Sequence, residues 1–217
     1  MDGEKTLKRD LFGEVLLQSG PAGPAVVRNT AVARWWLRPV ARRLLNREAR
    51  ALAMLDGIDG VPELLTHERD LLHRSYLDGE PLYQARPRDT AWFNEAARLL
   101  RRLHRAGVCH NDLAKEPNLL VRSDGTPGFI DFQLASCSRH RSRLFRVAAY
   151  EDIRHLLKHK RTYCPDHLTR REQGILANPS PVSRIWMGTV KPVYLFVTRR
   201  LLGWADREGA ADRDTRA

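Results

Sequence analysis

Apolar positions in this chain change their spacing several times, and each change predicts a different element. Residues 6–30, "TLKRDLFGEVLLQSGPAGPAVVRNT", hold the β-rich runs "GEVLL" and "AVVR" around "SGPAG", which is turn chemistry. Two or three strands are predicted there. Over "ARWWLRPVARRLLNREARALAML" the period lengthens. Leu44, Leu52 and Leu55 recur at helical spacing, and Pro39 suits a first helical turn, where its missing N–H costs nothing. "DGIDGVPELL" breaks that helix, and "RDLLHRSYLDGEPL" reads as a strand followed by a Gly/Pro turn. From Thr90 a second helix is predicted. Trp92, Ala96, Leu99 and Leu103 form its stripe, Thr90 is its expected N-cap and Gly107 its stop. "NLLVRSDGTPGFIDF" is a hairpin pattern. Helical spacing returns in "YEDIRHLLKHKRTY", "LTRREQGILA" and "KPVYLFVTRRLLGWADREG", and the polar end "GAADRDTRA" predicts a frayed tail.

The hairpin carries chemistry. Asn118 stands just before its first strand, Asp131 is expected just inside its second, and Asp112 precedes both. Closing a hairpin brings its ends together, so three oxygen-bearing side chains converge. Asn118 and Asp131 suit a Mg²⁺ held together with substrate phosphates. Asp112 can accept a proton from an incoming hydroxyl.

Bulk properties narrow the setting. The 217 residues suffice for one large domain or two small lobes with a real core. A formal net charge of +11 favours anionic partners: nucleotide phosphates, nucleic acid or an acidic membrane face. Cys109, Cys137 and Cys164 lack metal-type spacing and fit small buried side chains in a reducing compartment. The start "MDGEKTLKRD" has no apolar signal core, and no run approaches the ~20 apolar residues of a membrane span. A cytoplasmic protein is expected, with peripheral contact at the inner face of the membrane.

"HNDLAKEPN" resembles the catalytic loop of the protein-kinase-like superfamily, His-x-Asp followed by Asn, and "IDFQ" resembles its Asp-Phe-Gly metal motif. The thirteen-residue step from Asn118 to Asp131 and the order of elements agree. The resemblance covers roughly residues 6–160. It implies an α+β, bilobal fold: a small strand-rich N-lobe over 1–78, a hinge near Ser75–Leu82, a short and mainly helical C-lobe over 79–205, and a polar tail over 206–217. It implies ATP and Mg²⁺ as cofactors, Asp112 as the base, Asn118 and Asp131 on the metal, and Lys115 as a phosphate-contacting lysine beside the base. "KRDLFGEV" resembles the close of a glycine-rich loop, with Phe12, Gly13 and Val15 matching and Lys8 and Asp10 standing for its first two glycines. "AVVR" resembles the third strand, with Arg28 where a phosphate-binding lysine is usual. Twenty residues later Glu48 stands where the family's helix glutamate would pair with it. Glu48 lies on the apolar stripe between Leu44 and Leu52, where an acid needs a partner; a structural salt bridge to another arginine is the other reading. His110 is expected to pack and orient the loop, and Glu116 to be solvated.

Three departures stand out. Asn118 follows Asp112 by six residues where kinases use five, and Pro117 is expected to shape the longer loop. Arg28 replaces lysine, keeping charge but not shape, so Lys8 is a second candidate to reach the phosphates. Gln133 replaces glycine, predicting a metal loop that flips little. No Ala-Pro-Glu motif follows, and the short C-lobe resembles RIO kinases and bacterial lipopolysaccharide-core sugar kinases; aminoglycoside and choline phosphotransferases share the motif on a larger C-lobe. The implied function is transfer of the γ-phosphate of ATP to a hydroxyl of an envelope glycolipid sugar or of a protein Ser/Thr. The alternative is a nucleotide-binding pseudokinase acting as a regulatory or membrane-associated scaffold.

Two segments remain. Arg34, Arg38 and Arg42 share a face beside Trp35 and Trp36; Tyr194, Val197, Leu201 and Trp204 form a stripe flanked by Lys191, Arg199 and Arg200. Tryptophan with arginine on an amphipathic helix suits a membrane interface; packing on the lobes is the other reading. RNA binding ranks third, since no RNA-binding motif is present and no specific nucleic acid is expected.

Overall fold

The computed structural model describes residues 4–20 and 23–180. The predicted helix near residue 191, the end of the expected C-lobe and the polar tail lie outside the described residues.

The first half builds a five-stranded antiparallel sheet in the order β1 (Glu4–Asp10), β2 (Gly13–Gly20), β3 (Gly23–Asn29), β5 (Leu71–Ser75), β4 (Leu64–His67). β1 is exposed along its whole length, and Lys5, Lys8 and Arg9 make a charged edge that discourages pairing with another chain. The β1–β2 turn is closed by Asp10, whose carboxylate accepts from the Phe12 N–H at 2.8 Å. Gly13 has φ +137°, and a Cβ there would meet the Asn29 carbonyl at 2.2 Å, so no other residue fits. The four-residue β4 was not foreseen: it follows a Gly/Pro-rich stretch, and three of its residues are exposed, so it carries no apolar signature.

Helix α1 (Arg38–Met54) has Pro39 in its first turn, as expected. It buries Ala41, Leu45, Glu48, Ala49, Ala51 and Leu52; Leu45, rather than Leu44, points inward. Leu45 and Ala49 pack on Leu72 of the sheet. Ala51, Leu52 and Leu55 join the larger core with Trp92, Phe93, Ala96, Leu99, Leu100 and Leu103 of α3 (Thr90–Arg105). One helix thus plugs into both cores, and Glu48 sits between them.

α3 keeps the predicted stripe, but its N-cap is Asp89, not Thr90: the Asp89 backbone is extended and its carboxylate accepts from the Ala91 N–H at 2.8 Å. Gly107 ends the helix with φ +85°, and a Cβ there would strike the Ser138 carbonyl at 2.3 Å. The predicted hairpin is β8 (Leu119–Val121) with β9 (Pro127–Phe129), extended by β6 (Glu80–Pro81). β9 stops at Phe129, so Asp131 lies beyond the strand rather than inside it. A short pair, β7 (Val108–Cys109) with β10 (Ser136–Cys137), closes the other side of this region. The helix α2 (Leu82–Ala85) leads from β6 toward α3. α4 (Arg143–Tyr163) begins a full two turns before its apolar pattern, capped by Ser142, whose hydroxyl accepts from the Phe145 N–H. α5 (Arg170–Ala177) starts with a capping box of Thr169 and Glu172.

Candidate active site

Two loops meet between β7 and β10. The Ile130 N–H donates to the Asn118 carbonyl at 3.0 Å, and His110 Nε2 donates to the Ile130 carbonyl at 2.9 Å. A carbonyl only accepts, so Nε2 carries the proton and Nδ1 is left to accept from the Asp112 N–H at 3.3 Å. His110 is fully buried, with its ring 4.6 Å from that of Phe132. Its expected part as a packing and orienting residue fits these contacts.

Asn118 donates through Nδ2 to the Asp112 carbonyl at 2.9 Å and to Asp112 Oδ2 at 3.0 Å. Its own Oδ1 receives no donor among the described residues. Lys115 Nζ lies 3.2 Å from Asp112 Oδ2. Burial pushes the Asp112 carboxyl above its ordinary range; Lys115 opposes this and Asp131 adds to it.

The extra residue in the loop is absorbed by a 3₁₀ turn at Glu116–Asn118 that starts around Pro117. Glu116 is buried rather than solvated. The turn faces it toward α4, where the Tyr163 hydroxyl donates to Oε2 at 2.9 Å and His159 Nδ1 lies 3.4 Å from Oε1. His159 Nε2 also donates to the Leu113 carbonyl at 2.8 Å, so α4 grips both ends of the longer loop.

Asp152 of α4 was missed by the sequence reading. Its Oδ2 accepts from the His110 N–H and its Oδ1 from the Asn111 N–H, each at 2.8 Å, and His104 Nε2 lies 3.1 Å from Oδ2. Asn111 is left-handed (φ +64°) and donates through Nδ2 to the Leu134 carbonyl at 2.9 Å. The available signal was an acid inside the apolar pattern "YEDIRHLL", the same signal that singled out Glu48. Cys109 packs beside it: burial, with Asp152, pushes the thiol up to about 12. Ligand atoms of His104, Cys109 and Asp152 lie within 4.8 Å of one another. Both Asp152 oxygens are already engaged by main-chain donors, so this cluster braces the loop.

On the sheet side, Glu48 is fully buried between two guanidinium groups. Arg28 Nε is 3.1 Å from Oε2 and Arg74 Nε 3.3 Å from Oε1. The two readings of Glu48 therefore meet in one ion triad. Arg28 faces Val15 across the β2–β3 ladder and sits next to the strand that carries Arg74. Its Nη2 lies 3.5 Å from Asp131 Oδ1. With its amide oxygen turned inward, Gln133 accepts from Arg28 Nε at 3.3 Å and also from Nη1. Two departures from the kinase pattern are thus one contact. Burial works against ionising Asp131, but the Arg28 and Arg74 guanidiniums, with Lys115, outweigh it and hold the carboxyl below its ordinary range. Asp131 is left-handed at φ +65°, a conformation that costs a non-glycine residue on the order of 1–3 kcal/mol and is found at functional sites. Its Oδ2 receives no donor among the described residues. Lys8 takes no part in this cluster; it is exposed, 3.7 Å from Asp10 Oδ2.

Asp131 Oδ2 and Asn118 Oδ1, on two loops joined by the Ile130–Asn118 hydrogen bond and each lacking a donor among the described residues, are hard oxygen ligands of the kind that suit Mg²⁺. The model of the phosphotransferase enzyme family matches residues 30–139, half of the chain. The chain belongs to that family. The match takes in Glu48, Asp112, Asn118, Asp131 and Gln133, and begins just past Arg28. No curated protein matches this chain. Among solved structures it is similar to the Rio2 kinase from Chaetomium thermophilum, with 17% identity and a TM-score of 0.58 over 83% of this chain and 60% of that one. The chain therefore spans somewhat less than two thirds of that kinase's length. The likeness is one of fold: α+β, with an antiparallel strand-rich sheet first and a helical part after it, as in kinases.

Proposed function

We propose that this phosphotransferase moves the γ-phosphate of ATP to a hydroxyl, with the hydroxyl borne by an envelope glycolipid sugar or a protein side chain. The observation that carries the reading is the convergence of Asp112, Asn118 and Asp131 through the Ile130–Asn118 and Asn118–Asp112 hydrogen bonds. Asn118 Oδ1 and Asp131 would hold Mg²⁺, which supplies charge neutralisation for the phosphates when bound. Asp112 orients the acceptor hydroxyl and takes its proton as the oxygen bonds to the γ-phosphorus and the bond to the ADP oxygen breaks. Its raised basicity suits that task. Lys115 sits beside Asp112 to balance charge. Arg28, aimed by Glu48 and Gln133, takes phosphate oxygens from the sheet side, under the β1–β2 turn that Gly13 closes. Residues 1–78 and 79–205 act as the two lobes, hinged near residue 78, with the protein working on the cytoplasmic side.

Incubation with ATP and Mg²⁺ tests this, with Asp112→Ala and Asp131→Asn beside the parent chain. Both substitutions should abolish phosphate transfer and ATP hydrolysis; turnover that survives both would sink the reading. Binding of ATP with no Asp112-dependent turnover would favour the pseudokinase. Comparing phosphorylated products in cells with and without the gene would identify the acceptor.

A further inference from the structure

The connector from β3 into α1 concentrates exposed apolar side chains among the described residues. Four large apolar side chains stand exposed within nine residues: Val32 (46%), Trp35 (80%), Trp36 (49%) and Val40 (47%). The two tryptophans are therefore not core residues. The charge along this segment of chain has one sign. Residues 15–47 contain no Asp or Glu, while Arg34, Arg38, Arg42, Arg43 and Arg47 fall within fourteen positions. Arg42 is taken by Asp70, and Arg47 by the carbonyls of Leu134 and Ala135. Arg34 and Arg43 are exposed, and Arg34, Arg38 and Arg43 form no ion pair among the described residues. Arg38 is half-buried, with its Nε sequestered and without a hydrogen-bond partner.

We infer that this connector, through Trp35, Trp36, Val32 and Val40 with Arg34, Arg38 and Arg43, docks on the surface of an anionic lipid bilayer. Tryptophan rings settle at the headgroup level, the valines reach the acyl boundary, and the arginines meet anionic headgroups. A nucleic acid would match the charge but offers the valines nothing. The position has a use. The register places Glu14 opposite Asn29 and Asp10 opposite Gly13, so the connector and the β1–β2 turn leave the sheet at the same end. Glu48 lies ten residues into α1 from Arg38, about 15 Å along the helix axis. Docking would seat the enzyme with that end toward the lipid. This deepens the glycolipid branch of the proposed function and rests on it for the acceptor, but the docking itself requires no turnover.

The test is flotation of the full chain with vesicles of phosphatidylcholine alone and of phosphatidylcholine with 30% phosphatidylglycerol (about a third anionic, to set the surface potential). The chain should float with the anionic vesicles only, and less as salt rises. Trp35→Ala with Trp36→Ala should weaken partitioning by about tenfold or more. Arg34→Glu with Arg43→Glu should weaken it by at least about fivefold per arginine. Both pairs are exposed, so circular dichroism should match the parent. Asp112→Ala should float like the parent; this separates the docking from the phosphotransfer reading, which that variant tests by activity alone. Equal binding to neutral vesicles, or anionic binding untouched by both double variants, would overturn the inference. So would capture of a single-stranded RNA by Arg34 and Arg43 with no flotation, or loss of flotation only when residues 181–217 are removed.

Discussion

Arg28 is surrounded by acceptors: Glu48, Asp131 and the Gln133 amide. A guanidinium can face all three because its donors point in a planar fork; a lysine amine cannot. Arg28→Lys should therefore lower kcat, and adding Gln133→Gly should recover part of the loss, because the amide no longer waits for a fork. A double-mutant cycle on ATP turnover should return a coupling of about 1 kcal/mol or more, and strict additivity would refute the partnership. Glu48 bears a different load. Glu48→Gln leaves Arg28 and Arg74 facing each other in a buried place, and burial already disfavours the Arg74 charge. Urea denaturation should show a loss of about 3–5 kcal/mol, the usual result of removing one partner from a buried ion cluster.

At the level of elements, α4 does more than cover α3. Through Asp152, His159 and Tyr163 it holds the catalytic-type loop at His110, Asn111, Leu113 and Glu116. It also carries a pH liability. Burial, reinforced by Lys158, pushes the His155 imidazole down to about 4 from an ordinary 6.5, despite Glu151 and Asp152. A depressed histidine must stay neutral in the folded chain. Its contribution is complete above pH 6.5 and is lost as pH falls toward 4, by up to on the order of 3 kcal/mol. His155→Gln should leave the melting temperature at pH 7.5 little changed and flatten its fall between pH 6.5 and 4.5. A parallel fall in both proteins would assign the acid limb to other groups.

For the molecule as a whole, what could be read in advance follows from range. The strands before residue 30, the α3 stripe and the β8–β9 hairpin rest on local spacing, and local spacing reports which face is buried. Asp112, Asn118 and Asp131 were legible because a hairpin fixes its own ends. Contacts across long separations were not. Gln133 meets Arg28 from 105 residues away, and Asp152 reaches Asn111 across 41. Periodicity says that such a group is buried but not what satisfies it. Glu116 was misjudged for the same reason, since its partners Tyr163 and His159 lie on another element. Asp89 displaced Thr90 as cap because either residue type serves and only the backbone decides.

The guanidinium at position 28 also changes what a chemist can attach. Nucleotides bearing an acyl phosphate mark enzymes by acylating a lysine amine that lies against the phosphates. Position 28 offers no such nucleophile, while the Lys115 amine lies 3.2 Å from Asp112. Peptide mapping after such a reagent should find the acyl group on Lys115 and none on the β3 peptide. Arg28→Lys should move it there, turning a silent strand into the labelled one.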